Sequence, residues 1–222
     1  MSGDTVLIPD DRAFSNFKHE CVSDEGWSLT YNKSGITVLI QILEEEKSLH
    51  KIKCRMVCKD VPAETMYDVL HDIEYRRKWD SNVIETFDIG KLTVNADIGY
   101  YSWKCPKPLK NRDVITLRSW LPMGNDYIIM NYSVKHPCPA LCVCVCVCVQ
   151  AMKRIARACV KYAEWKQKHS PGFKPWLYPE QSRLSSMPLS ELSLQHADSL
   201  ENIDESTLSE SKDERAEHSD DD

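Results

Sequence analysis

The chain has 222 residues, 42% of them hydrophobic, with 28 Lys+Arg, 34 Asp+Glu and only 7 Gly, which excludes a collagen-like chain, a coiled coil and a wholly disordered one. Ten Cys raise a disulfide framework, but Met1-Ser-Gly-Asp-Thr-Val offers no basic, apolar and cleavable leader, so the expectation is a reducing, cytoplasmic address. The net charge of -6 hides a division, because Ser182 to Asp222 holds 12 acidic and 3 basic side chains and so leaves the rest of the chain mildly basic.

Asp10 to Cys21 is the first patterned segment. Ala13, Phe14, Phe17 and Cys21 fall on one helical face behind acids at the N-terminal end, which predicts a short amphipathic helix. After Gly26 come three strands: Trp27 to Asn32, Ile36 to Leu43, and Leu49 to Cys58. In the last, Ile52, Cys54, Met56 and Cys58 face one way while Lys51, Lys53, Arg55 and Lys59 face the other, as in a half-buried antiparallel sheet dry on one face. Glu44-Glu45-Glu46 reads as a solvated hairpin tip. At Asp60 the period changes. An acid as N-cap, Pro62 in the first turn, and Ala63, Met66, Val69 and Leu70 at helical spacing predict a helical segment to Asp80. Strands resume at Val83 to Lys91, Ile98 to Lys104, Val114 to Leu121 and Tyr127 to Lys135. Finally Ala151 to Lys168 sets Met152, Ile155, Ala156, Cys159 and Tyr162 against Lys153, Arg154, Arg157 and Lys161, a basic amphipathic helix.

This order is α+β, a strongly curved antiparallel sheet with helices at its ends and in its middle. Residues 1–181 form the expected domain. Residues 182–222, rich in Ser and acid, hold too little apolar area to offset their ordering entropy and are expected to be a disordered tail. No Lys/Arg stripe interleaves with aromatics, so nucleic acid is not an expected partner. The apolar part of the longest run without a charge, Pro137 to Val149, falls short of the roughly 20 residues that span a bilayer.

Glu74-Tyr75-Arg76-Arg77-Lys78-Trp79-Asp80, followed by Tyr101-Ser102-Trp103 and then Pro106-Lys107-Pro108-Leu109-Lys110-Asn111-Arg112-Asp113, strongly resembles the START family of lipid-transfer domains. The likeness runs nearly unbroken from Met1 to Pro137 and returns from about Ala151. The resemblance implies a helix-grip fold, in which a curved antiparallel sheet wraps a C-terminal helix around one lipid, with that helix gating the cavity. It also implies two further strands and the first half of the closing helix after Lys135. Thirteen residues, 138–150, stand in their place, too few for those elements, so an incomplete fold is expected.

That insert, Cys138-Pro139-Ala140-Leu141 followed by alternating Cys and Val to Gln150, admits three readings. As a zinc site, an extended strand would space Cys142, Cys144, Cys146 and Cys148 about 6.6 Å apart in a row, unsuited to closing a tetrahedron. As a plain strand it is aggregation-prone, with no gatekeeper charge. The favoured third reading is genomic: TGT encodes Cys and GTG encodes Val, so a TG dinucleotide repeat standing in place of coding exons yields Cys-Val. That would make the chain the product of aberrant splicing or gene prediction.

The same resemblance assigns the site. A phosphate in an apolar cavity needs a fixed cation, which guanidinium supplies bidentately, and the phosphatidylcholine-binding member of the family has a phosphate-contacting Arg matching Arg76 and an acid matching Asp80. Tyr101 matches one ring of that member's choline cage, and Trp103, two residues on, shares its strand face. Val114 takes the place of a second cage ring, which broadens the expected ligand from phosphatidylcholine to phosphatidylethanolamine. The plain alternatives stay open: a surface Arg76 beside Arg77 and Lys78, and ordinary strand packing for Tyr101 and Trp103. Trp165, Phe173 and Trp176 among lysines read as interfacial contacts with a membrane surface. Ser219 before three Asp, and Ser211 with Glu214 three residues on, suit an acidophilic protein kinase. Seven scattered His give no metal spacing and no nucleophile motif, so neither enzyme nor cofactor is expected. The expected function is therefore phospholipid transfer, impaired in this chain, with a non-transferring membrane- or partner-binding fragment as the alternative.

Overall fold

The computed structural model describes residues 6–43, 50–105, 111–135 and 145–194, with backbone alone for 135, 145–148, 193 and 194. Ten elements follow in order: α1 (Asp11–Val22), β1 (Ser28–Lys33), β2 (Ile36–Ile42), β3 (His50–Met56), α2 (Ala63–His71), α3 (Ile73–Trp79), β4 (Val83–Thr93), β5 (Ala96–Trp103), β6 (Arg112–Met123) and β7 (Asp126–Lys135). The long α4 (Val145–Lys168) and a two-residue β8 (Ser193–Leu194) complete it. Strands β1-β2-β3 form one antiparallel sheet and β4-β5-β6-β7-β8 another. The α+β class and the order of elements agree with the periodicities read from the sequence.

The segment from Asp60 to Asp80 is two helices rather than one run. Asp72 breaks it with extended backbone and caps α3, accepting from the Tyr75 amide at 3.0 Å. Its other oxygen takes Lys166 Nζ at 2.8 Å and Tyr162 hydroxyl at 3.1 Å, both from α4. Asp60 is not a cap, since α2 starts after Pro62. The basic face of β3 is not left to water either. Lys53 donates to the Ser23 carbonyl at 2.6 Å and Arg55 to the Val22 carbonyl at 2.8 Å, so both cations satisfy the open C-terminal end of α1.

Helix α4 packs on α2 and α3 through Ile155, Ala158, Cys159 and Tyr162. It begins at Val145, so the second half of the Cys-Val stretch is helical and not a strand. Helix propagation adds one hydrogen bond per residue ordered, which outweighs the few tenths of a kcal/mol by which Val and Cys disfavour it. Cys138, Cys142 and Cys144 lie outside the described residues, as do Glu44–Glu46, Ser211 and Ser219.

Strands β5 and β6 present two unlike faces. Ile98, Ile115 and Leu117 point to one, where Val6 and, from the segment after α4, Met187, Leu189 and Leu192 cover them. Residues 182–194 are therefore not part of a disordered tail. The Lys91 amide donates to the Ser185 carbonyl and the Met187 amide to the Lys91 carbonyl, both at 2.9 Å, while Ser193–Leu194 pairs with Val134–Lys135. This strap crosses from one outer strand, β4, to the other, β7. Its few leucines suffice because the sheet supplies the apolar face and two unpaired edges.

Candidate functional site

The opposite faces of β5 and β6 carry Asp97, Gly99, Tyr101 and Trp103, and Val114, Thr116 and Arg118. They look toward α2 and α3 across a cavity of about 300 Å³. Helix α3 delivers Arg76 to it. Asp80 closes the helix with its amide on the Arg76 carbonyl at 3.0 Å, and its carboxylate lies 3.7 Å from Arg76 Nε. Tyr101 hydroxyl donates to the same carboxylate at 2.8 Å, and the guanidinium carbon sits 4.7 Å from the Tyr101 ring centroid and 5.6 Å from that of Trp79. Trp103 lies beside Tyr101, ring centroids 5.2 Å apart. Arg76, Asp80, Tyr101 and Trp103 thus meet in one place.

Arg76 Nε is buried without a hydrogen-bond partner. A buried donor of that kind is costly unless something fills it. Its neighbour Arg77 is spent on structure, since both Nε and Nη2 donate to the Thr86 carbonyl and tie α3 to β4. Burial, opposed by the Arg76 charge, pushes the Tyr101 phenol up to about 12, so the ring remains a neutral donor. Val114, directly opposite Tyr101 in the register, is buried and also lines the cavity.

Past Ile73 the cavity adjoins a second one of about 250 Å³, lined by His71, Trp120, Lys166 and Trp176. Asp88, Asp97 and Arg118 lie in the wall between the two. Arg118 grips Asp97 through Nε at 2.9 Å and Nη2 at 2.5 Å, and reaches Asp88 at 3.4 Å. These charges escaped the sequence reading. Their signal was a charged residue at the inward phase of two otherwise apolar or aromatic strand faces. His71 has both ring nitrogens buried and unpartnered, stacked on Trp176 at 5.6 Å, and burial holds it neutral by lowering its pKa.

Burial also pushes the Asp88 carboxyl up to about 6 against the pull of Arg118. The sign follows from the unfolded value of 3.8. The native state holds this proton more tightly, so the stabilisation is complete below 3.8 and is lost as pH rises through about 6. Asp88→Asn is expected to flatten the dependence of the urea midpoint on pH across that interval. An unchanged slope would show that Asp88 ionises normally.

The aromatic residues expected at an interface divide. Trp176 is 9% exposed and donates to Asp68 Oδ1 at 2.7 Å, so it is a core residue. Trp165 is half-buried between Tyr75 and His169. Phe173 is exposed, as are Leu177 and Tyr178. The exposed positions of α4 include Lys153 and Val160, with Arg157 half-buried between them, and Val57 beside these three is 74% exposed. Among the described residues no group of His, Cys, Asp or Glu has the arrangement of a metal site, and no helix is long and apolar enough to cross a membrane.

A family model described as "START domain" matches residues 13–167. START domain-containing protein 10 of Mus musculus is 57% identical over 260 residues, covering 97% of this chain and 89% of that protein. The alignment is longer than the whole 222-residue chain, so that relative carries residues with no counterpart here. Phosphatidylcholine transfer protein of Mus musculus is 26% identical over 144 residues, 62% of this chain and 66% of the relative. The crystal structure of human STARD10 superposes with a TM-score of 0.81 at 56% identity, covering 88% of this chain and 98% of the other.

Proposed function

This chain belongs to the START domain family, and we propose that it binds a phospholipid, phosphatidylcholine or phosphatidylethanolamine, with the lipid phosphate on Arg76. The observation that carries this is the Arg76 guanidinium, held at the cavity wall by Asp80 and the Tyr101 ring with Nε buried and without a hydrogen-bond partner. A phosphate there would gain charge-assisted hydrogen bonds and leave the Tyr101 and Trp103 rings for an ammonium or methylammonium group. With Val114 opposite Tyr101, the aromatic surface is one-sided, which suits both headgroups better than choline alone.

Carriage of a two-chain lipid is weak in this proposal. Two acyl chains of roughly 30 methylenes represent some 25 kcal/mol of burial that a carrier must replace. Leaving a quarter of that surface wet costs about 6 kcal/mol, about four powers of ten in affinity. Membrane contact is peripheral, through Phe173 and the exposed Val160 with Lys153 and Arg157, in a cytoplasmic protein. Phosphorylation of Ser211 and Ser219 by an acidophilic kinase would add roughly -1.5 to -2 charge per site and weaken attachment to anionic leaflets.

The test is to incubate purified chain with mixed phosphatidylcholine and phosphatidylethanolamine vesicles, re-isolate it and identify retained lipid by native mass spectrometry. Arg76→Gln is expected to reduce retention by roughly 10- to 100-fold, the worth of a charged hydrogen bond. Equal retention by the variant and the parent would overturn the role of Arg76. If neither holds phospholipid, the chain is a non-transferring fragment.

A further inference from the structure

Strand β3 pairs with β2 alone, and the first half of β7 pairs with β6 alone among the described residues. Between these two strand edges, under α1 and α2, runs a cleft of about 730 Å³ whose walls include Phe17, Cys54, Met66, Tyr67, Leu70 and Ile128. Leu70 also lines the cavity that holds Arg76, so the cleft and the phosphate site share a wall. Tyr67 is 2% exposed, and its hydroxyl is buried without a hydrogen-bond partner. Burial raises its pKa, so it is a neutral donor. A buried hydroxyl and a buried guanidinium Nε, each without a hydrogen-bond partner and carried by residues of two cavities that share the Leu70 wall, suit a lipid with a phosphate, a glycerol oxygen and a chain.

We propose that this chain takes a single-chain phospholipid, its phosphate on Arg76, its glycerol ester or hydroxyl oxygen on Tyr67 and its one acyl chain along the β3–β7 cleft. This rests on the phospholipid-binding reading above and names the substrate class within it. One chain suits the cleft because, among the described residues, it is open along the gap between the strands. A second chain would find no wall among the described residues, and each methylene left in water weakens binding about fourfold. A single-chain lipid also leaves a bilayer or micelle with half the apolar burial to replace.

The experiment uses the full chain with 16-carbon lysophosphatidylcholine below its micelle threshold and, separately, dipalmitoyl phosphatidylcholine vesicles, read by native mass spectrometry and tryptophan fluorescence. The lysolipid is expected in one-to-one stoichiometry, with the two-chain lipid retained at least tenfold less. Tyr67→Phe should weaken lysolipid binding about fivefold, the worth of one hydrogen bond, and leave binding of an alkyl phosphocholine, which lacks the glycerol, unchanged. Phe17→Asp, on the exposed side of the cleft, should weaken both by tenfold or more at an unchanged thermal midpoint. Lysolipid binding that neither substitution alters overturns the cleft as the chain site. Stoichiometric two-chain lipid with lysolipid excluded overturns the substrate class while leaving phospholipid binding intact. Retention of neither lipid overturns both.

Discussion

Asp72→Ala is expected to destabilise the fold by roughly 4–6 kcal/mol, a large part of the 5–15 kcal/mol that holds an ordinary domain. Three groups lose a partner at once. The α3 amide of Tyr75 loses its cap, worth about 1 kcal/mol. Tyr162 hydroxyl loses its acceptor. Lys166, itself buried, is left as an ammonium without the carboxylate that sits 2.8 Å away. The last effect dominates, because stripping one partner from a buried pair typically costs about 3–5 kcal/mol. Removing both charges is much milder. The double variant Asp72→Ala/Lys166→Met should therefore recover most of the loss in urea denaturation. A double variant no more stable than Asp72→Ala would mean that the cap, and not the buried charge, carries the effect.

Asp97→Ala is expected to cost about 3–5 kcal/mol for the same reason at the other end of the cavity, where Arg118 loses its two-pronged partner. Here a reserve exists. Asp88 already lies 3.4 Å from the same guanidinium, and the neighbouring Asp97 charge helps hold its carboxyl up. With Asp97 gone, Asp88 becomes the counter-ion and its pKa should fall from about 6 toward the ordinary carboxylate range. Carboxyl NMR titration of Asp88 in the variant tests this, with chemical denaturation giving the stability. A value that stays near 6 would mean that burial alone sets it and that Arg118 does not move to Asp88.

Much of the architecture was readable because its signals are local. Ile36, Val38, Ile40 and Ile42 alternate and form β2; Ile155, Cys159 and Tyr162 recur at helical spacing and form the buried face of α4. The four residues expected at a lipid headgroup also converge on one cavity, since Arg76 and Asp80 are one helical turn apart and Tyr101 and Trp103 share a strand face. Their pairing across 21 positions, Tyr101 on Asp80, comes only from the register of β4 and β5 against α3.

What misled was composition averaged over a segment. Residues 182–194 look as polar as the acidic stretch beyond them, yet Leu192 of this strap is 8% exposed against the sheet. Trp176 among lysines looks interfacial, but Asp68, 108 positions earlier, takes its indole N–H and makes a core residue of it. The Cys-Val alternation reads as a strand until the helix that follows it extends back to Val145.

By itself, then, the sequence determined which residues could be helix or strand, which faces were apolar, and to which family the Arg76 and Asn111-Arg112-Asp113 motifs point, because period and motif are properties of neighbours along the chain. The tertiary structure alone decided which charges meet, as Asp72 with Lys166 across 94 positions and Asp97 with Arg118 across 21. It also decided that, among the described residues, no strand lies between β3 and β7. The cause is physical: a buried charge is tolerable only beside its partner, and a strand edge is closed only by another strand, so both outcomes depend on contacts that no local pattern encodes.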